Sequence, residues 1–285
     1  MTLSFAIGDT TIHRIIEQTL PFELPTAFLP ALSPELLAAN AGWMAPADLD
    51  PATGKLILCI QSYVVRTPHF TVLVDTCVGN DKPRDVFPIW HMLQTGFLAD
   101  LEAAGYPPAT IDTVLCTHLH LDHVGAIKDF PNAELVVARE EFDAFLTQPR
   151  FPGYRRQDLV SAGRIRIVDL KEDPRFGFPG SFDLFGDSEI VLLDAKGHTR
   201  GTLAVAIDDG KRPYIHIGDA AYQSWEYGLA PSGPSRLAKL TAWNESALHE
   251  TYRVLREAEN HERRPILVPA HDIDVYATLP HDPKA

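Results

Sequence analysis

Cysteine is scarce in this chain. The three residues, Cys59, Cys77 and Cys116, are odd in number and form no C-x-x-C pair. That argues against a disulfide framework and makes a reducing compartment the simpler expectation. Long apolar runs are missing as well, and no stretch approaches the roughly 20 residues of a membrane span. The opening MTLSFAIGDTTIHR lacks a basic segment followed by an apolar one, so no secretory signal is expected. Positive charge is in deficit, 25 Lys and Arg against 38 Asp and Glu, for a net charge of −13. Such a surface repels phosphate backbones, so neither nucleic acid nor a membrane is an expected partner. The reading is a cytoplasmic protein, one domain over 1–285, with enough chain to bury a substantial core.

What is present is a series of short β-branched segments bounded by Gly, Pro, Asn or Asp. They cover 11–16, 55–66, 70–76, 111–118, 133–138, 164–170, 189–195, 201–208, 212–219 and 265–271. Helical periodicity predicts three helices. The first spans 95–105, with Thr95 as N-cap and Gly105 past its end; the second spans 139–148, with Phe142, Phe145 and Leu146 on one buried face. The third spans 243–259, with Asn244 as N-cap. Strands outnumber helices, and the helices fall between strand groups, which points to two sheets covered by helices rather than a doubly wound parallel sheet. Residues 19–54 stand apart: rich in proline and apolar side chains, without a strand pattern, they read as a lid or interface segment lacking regular structure.

The chemistry concentrates in CTHLHLDHVG, residues 116–125, where His118, His120, Asp122 and His123 occupy six consecutive positions. Imidazole and carboxylate are ligands suited to zinc, iron and manganese. His118 and His120, two apart, can converge on one ion; Asp122 and His123, a turn further on, can face a second. Further ligands stand at the ends of later predicted strands: His198 in AKGHTRGT, Asp219 in YIHIGDAAY and His271 in ILVPAHD. Loops at strand ends are where a rigid scaffold gathers distant residues. A structural zinc site prefers four closed ligands, usually with cysteine, so seven nitrogen and oxygen groups argue for reactive metal. Cys116 reads as a small buried apolar residue, and His216 as a core histidine.

The ordered set H-x-H-x-D-H, then G-H-T, G-D and a late A-H, resembles the metallo-β-lactamase superfamily of hydrolases over about residues 56–275. The resemblance implies an α+β fold, an αββα sandwich of two mixed β-sheets flanked by helices. It implies two divalent transition-metal ions, zinc first, with iron, manganese and cobalt as alternatives. One ion would be held by His118, His120 and His198, the other by Asp122, His123 and His271, with Asp219 bridging both. The VDT ending at Thr76 resembles the superfamily's early Asp-Thr motif, which makes Asp75 the residue that orients a ligand histidine. The chain departs from the pattern at Cys77, where glycine is common, at Arg200, where proline is usual, and at Thr202, where a second histidine is frequent.

Two ions about 3.5–4 Å apart acidify a shared water and polarise an electrophile, so the expected reaction is hydrolysis without an organic cofactor. Tyr222, three residues after Asp219 in DAAY, resembles the Asp-x-x-Tyr arrangement of the N-acyl-homoserine lactone lactonases. There the phenol hydrogen-bonds the substrate, and QSWEYGLAPSGP resembles the tyrosine-glycine-proline loop that follows. The resemblance therefore implies a small-molecule substrate, a lactone opened in a quorum-quenching reaction, with Asp122 and Tyr222 as catalytic groups. Hydrolysis of aryl esters or organophosphate triesters is the alternative within enzymes; a catalytically idle, metal-binding ligand sensor is the alternative outside them. Phe22, Phe28, Trp43, Met44, Phe87, Trp90 and Met92 could wall an acyl pocket, with a homodimer interface or plain core as the alternatives for any one of them.

Overall fold

The computed structural model describes residues 3–28, 33–44, 48–84, 87–148, 153–159, 163–228 and 233–273. Its internal contacts divide the chain into two compact units. The first comprises Met1–Gln18, Ile60–Leu170 and Pro280–Ala285; the second comprises Thr19–Cys59 and Lys171–Leu279.

Seven strands make one sheet in simple sequence order: β1 (Leu3–Ile7), β2 (Thr10–Pro21), β3 (Ile57–Arg66), β4 (Thr71–Val74), β5 (Thr113–Leu115), β6 (Glu134–Ala138) and β7 (Arg164–Val168). The unit boundary falls inside β2 and β3. The sheet is mixed: β1 pairs with β2 and β3 with β4 antiparallel, whereas β4 to β7 run parallel. Every residue of β4 and β5 is buried. That explains the continuous Val72–Val74 and Val114–Leu115 runs, since a strand covered on both faces loses the in–out alternation of a half-exposed one. The helix Arg139–Thr147 packs against β6 and β7 in the same unit.

The second unit carries a five-stranded sheet in the order β12 (Ile266–Pro269), β11 (Tyr214–Gly218), β10 (Leu203–Ile207), β9 (Ile190–Asp194), β8 (Ser181–Asp183). β12 joins β11 parallel, and the remaining pairs are antiparallel. The helix Glu245–Glu259 packs against β12 and turns Leu248, Tyr252 and Leu255 into the core. Asn244 caps it as predicted, its side chain accepting from Ala247 N at 3.0 Å.

All ten predicted strands are present, and β1 and β8, short strands at the sheet edges, are additional. Three local expectations need correction. Thr95 does not cap its helix: Gly96 holds that position without a side-chain bond, and the Thr95 hydroxyl reaches Asn80 Oδ1 at 3.1 Å and Glu17 Oε1 at 3.3 Å. In Arg139–Thr147 the buried face is Glu141, Ala144 and Phe145, with Leu146 left 46% exposed. Residues 19–54 are not without regular structure; they hold a helical turn, Pro25–Phe28, and an 11-residue helix, Pro34–Met44. Proline at the first helical position is pre-set for helix geometry, so Pro34 starts a helix rather than breaking one.

Candidate functional site

The four residues of the HLHLDH motif lie together in the first unit, in the loop and helical turn that follow β5. All three histidines are buried. The His118 ring centroid is 4.5 Å from that of His120 and 4.0 Å from that of His123. The ligand atoms of His118 and His120, of His118 and His123, and of Asp122 and His123 lie within 4.8 Å of one another. The Asp122 carboxylate stands 3.8 Å from His123 Nε2.

Two buried carboxylates hold this loop in place. Asp75, just past β4, accepts from Thr117 N and Thr117 Oγ1 and meets His123 Nδ1, each at 2.8 Å. With Nδ1 engaged by Asp75, His123 has Nε2 left to face a ligand. Glu141, fully buried, accepts from Leu119 N and from the Tyr154 hydroxyl, both at 2.9 Å. A third restraint is steric. A Cβ on Gly125 would lie 1.7 Å from Val78 O, so only glycine lets the loop after β4 approach the end of the ligand turn. Cys77 adopts φ +57° in that loop, the left-handed region that explains why glycine is common there, and its Sγ lies 3.0 Å from Ser62 Oγ. Cys116 is buried as expected. Burial, with the nearby Asp75 and Glu141 charges, pushes its thiol well above the ordinary range.

In the second unit the structure brings His198, Asp219 and His271 together. Each follows a strand, β9, β11 and β12 respectively. Asp219 Oδ2 is 3.4 Å from His198 Nε2, and Asp219 Oδ1 is 3.1 Å from His271 Nε2. One carboxylate thus turns one oxygen to each imidazole, the disposition a bridging ligand needs. His271 Nδ1 is fixed at 2.9 Å by the Cys59 carbonyl. His198 is held through its backbone, its carbonyl accepting from Trp243 N at 2.7 Å. A Cβ on Gly197 would lie 2.6 Å from Leu248 N and Cα, so this glycine admits the first turn of the helix Glu245–Glu259. Thr202 supplies a tie for the turn, its Oγ1 accepting from Thr199 N at 2.9 Å. Arg200 lies over the Trp243 ring at 5.2 Å.

Tyr222 belongs to the same cluster. Its ring stacks on His271, with centroids 5.4 Å apart and 26° between planes, and stands edge-on to His198 at 5.9 Å. Phe28 packs edge-on against it at 6.3 Å. The Tyr222 hydroxyl is 2.9 Å from Thr241 Oγ1. Its backbone N–H and that of Gln223 donate to Glu226 Oε1 at 3.1 and 3.0 Å, and Tyr252 donates to Glu226 Oε2 at 2.6 Å. Burial pushes the Glu226 carboxyl up to about 7, against the pull of the hydrogen bonds it accepts. The lactonase-like loop expected over 223–234 falls partly outside the described residues, as do the side chains of Trp43 and Met44. Of the other expected pocket residues, Phe28 is buried, Phe22, Phe87 and Trp90 are half-buried, and Met92 is exposed.

Glu141, Glu226, Thr241 and the Cys59 carbonyl were not read from sequence. Glu141 carried a signal, an acid sharing a helical stripe with Ala144 and Phe145; a backbone carbonyl carries none.

The donor set fits divalent transition metal: the imidazoles are buried, His123 and His271 have Nδ1 engaged so that Nε2 is left for a ligand, and carboxylates are turned toward them. Comparison with known proteins agrees. The metallo-beta-lactamase superfamily matches residues 60–253. A probable metallo-hydrolase of Mycobacterium tuberculosis is 30% identical over 243 residues, covering 79% of this chain and 78% of its own. The N-acyl homoserine lactonase AttM of Rhizobium radiobacter is 29% identical over 204 residues, 68% of this chain and 72% of its own. Among solved structures, the hydrolase AbOPH superposes with a TM-score of 0.69 at 18% identity, covering 95% of this chain and 89% of its own. An N-acyl homoserine lactone hydrolase with N-hexanoyl-L-homoserine at its catalytic metal centre gives 0.68 at 17% identity, covering 97% and 99%. The chain belongs to the metallo-β-lactamase superfamily. It is a hydrolytic enzyme, and its two mixed sheets with flanking helices are the fold of that family. No helix among the described residues is long and apolar enough to cross a membrane.

Proposed function

We propose that this enzyme opens lactone rings, with N-acyl-homoserine lactones as first substrates, and that seven residues hold two divalent ions for the purpose. His118, His120 and His198 hold one; Asp122, His123 and His271 hold the other; Asp219 serves both. Zinc is the first candidate, with iron, manganese and cobalt as alternatives. The observation that carries this reading is Asp219, with one carboxylate oxygen turned to His198 and the other to His271, beside a phenol stacked on His271. The lactonase named among the relatives supports the substrate class.

Two such ions supply Lewis acidity and a water that ionises near neutrality. The chain's own residues do the rest. The Tyr222 hydroxyl donates to the lactone carbonyl oxygen, where negative charge grows as the ring carbon becomes tetrahedral. As water adds to the ring carbonyl carbon, Asp122, its side chain 14% exposed, takes the proton the water gives up and passes it to the ring oxygen as the C–O bond breaks, leaving a hydroxy acid. Segment 19–54 acts as a lid within the same domain, contributing Phe28 beside Tyr222. The three buried thiols favour the cytoplasm. The exposed Ile89 and Met92 suit a homodimer contact, which the solution mass decides.

The test is kcat/KM across homoserine lactones of increasing acyl length, beside aryl esters and phosphotriesters, with metal content measured on the same preparation. Two ions per chain and efficient lactone opening are expected. Efficient ester or phosphotriester cleavage with negligible lactone turnover would overturn the substrate and leave the metal assignment standing.

A further inference from the structure

Tyr222 is held at both ends. Its backbone N–H is gripped by Glu226, and its ring is clamped between His271, His198 and Phe28. Its hydroxyl ends on Thr241, the last residue of the helix Arg236–Thr241. Thr241 Oγ1 lies 2.9 Å from Leu237 O and 2.9 Å from the phenol oxygen. A threonine hydroxyl has one proton and two lone pairs. With that proton on Leu237 O, Thr241 accepts from Tyr222; turned the other way, it donates to the phenol oxygen and frees the phenol proton for another acceptor.

We propose that Thr241 is a positioning residue for the reaction. Its hydroxyl fixes where the Tyr222 phenol points and, by turning its proton from Leu237 O to Tyr222 Oη, makes the phenol a donor to the substrate carbonyl. This rests on the reading of Tyr222 given above. Thr241 itself touches neither the ligand residues nor the reacting atoms in this scheme, and its effect passes through one hydrogen bond.

The experiment compares Tyr222→Phe, Thr241→Val, Thr241→Ser and the double variant Tyr222→Phe with Thr241→Val. N-hexanoyl-homoserine lactone is the probe, and metal content and Tm are recorded for each protein. Thr241→Val should lower kcat/KM by about 3- to 10-fold, the worth of one neutral hydrogen bond, with metal content unchanged. Thr241→Ser, which keeps the hydroxyl, should restore it. Adding Thr241→Val to Tyr222→Phe should cost nothing further, because the two groups act through one bond. A loss in Thr241→Val that serine does not restore, or that adds in full to the Tyr222→Phe loss, overturns the inference. So does wild-type turnover in Thr241→Val while Tyr222→Phe is impaired. Wild-type turnover in Tyr222→Phe instead removes the catalytic reading of Tyr222, and Thr241 falls with it. Should Thr241→Val lower the Tm, Thr241→Ala at the same helix end replaces it, with the same outcomes required.

Discussion

The candidate ligands of the first unit and those of the second are held by different physics. His118, His120, Asp122 and His123 come from one short loop, and side chains from afar tie that loop down: Asp75 on His123 and Thr117, Glu141 on Leu119. His198, Asp219 and His271 come from three strand ends, and their ties are largely backbone: the Cys59 carbonyl on His271 and the Trp243 N–H on His198. A local motif brings its ligands close at little chain-entropy cost but leaves the loop floppy unless buried acids brace it. Ligands on separate strands are already braced by the sheet ladder and need only small orienting contacts. A carboxylate partner also raises the basicity of a ligating imidazole more than a neutral carbonyl does. His123 and His271 therefore stand in different electronic settings despite their similar burial.

The sharpest way to break this comparison is at Asp219, which turns an oxygen to each of two histidines. Asp219→Ala should empty both metal positions together and reduce hydrolysis to background, as should chelation of the wild type; metal analysis beside a turnover assay checks both. Retention of one tightly held ion with full activity would show that the carboxylate does not bridge.

The next effect is on stability. Glu226 is fully buried and pushed up to about 7 from the ordinary 4.5, so the folded chain keeps a proton there that the unfolded chain releases. Because the folded value is the higher one, its contribution is complete below about pH 4.5 and is lost as pH rises through about 7. The fall amounts to roughly 3 kcal/mol at most. Urea unfolding between about pH 5 and pH 8 measures it, and Glu226→Gln should flatten the slope. An equally steep slope in the variant would assign it to other groups.

A third experiment sets the two kinds of tie side by side. Asp75→Ala should weaken metal affinity by about 10- to 100-fold, read by competition with a chelator. Cys59→Ala should leave it unchanged, because the group that orients His271 is the carbonyl, which the substitution keeps. Equal losses in both would dissolve the distinction. Smallest is the dependence on acyl length: kcat/KM should rise by up to about 0.8 kcal/mol for each methylene buried, until the pocket fills. A series flat in length but steep in leaving-group acidity would point to the aryl-ester reading.

The ten predicted strands and the seven residues proposed as ligands were legible in sequence because each depends on a short-range pattern. Alternating or continuous β-branched runs mark strands, and histidine crowded into HLHLDH is visible without any partner. Asn244 was legible for the same reason, since a cap acts within three residues. Thr95 was misread because its hydroxyl found Asn80 and Glu17, partners that no local rule could supply. The helix Pro34–Met44 was missed because the proline content of the segment outweighed the position of one proline, and Pro34 sits where proline starts a helix. Glu141 and Glu226 lay in plain view as letters, but each becomes a buried brace only when a distant partner arrives, Leu119 N for Glu141 and the Tyr252 hydroxyl for Glu226. By itself, then, the order of residues determined the family and the set of candidate metal ligands. Which imidazole nitrogen faces the ligand cluster, what holds each loop, and what Tyr222 leans on were decided by the tertiary structure, because those contacts join residues up to 212 positions apart.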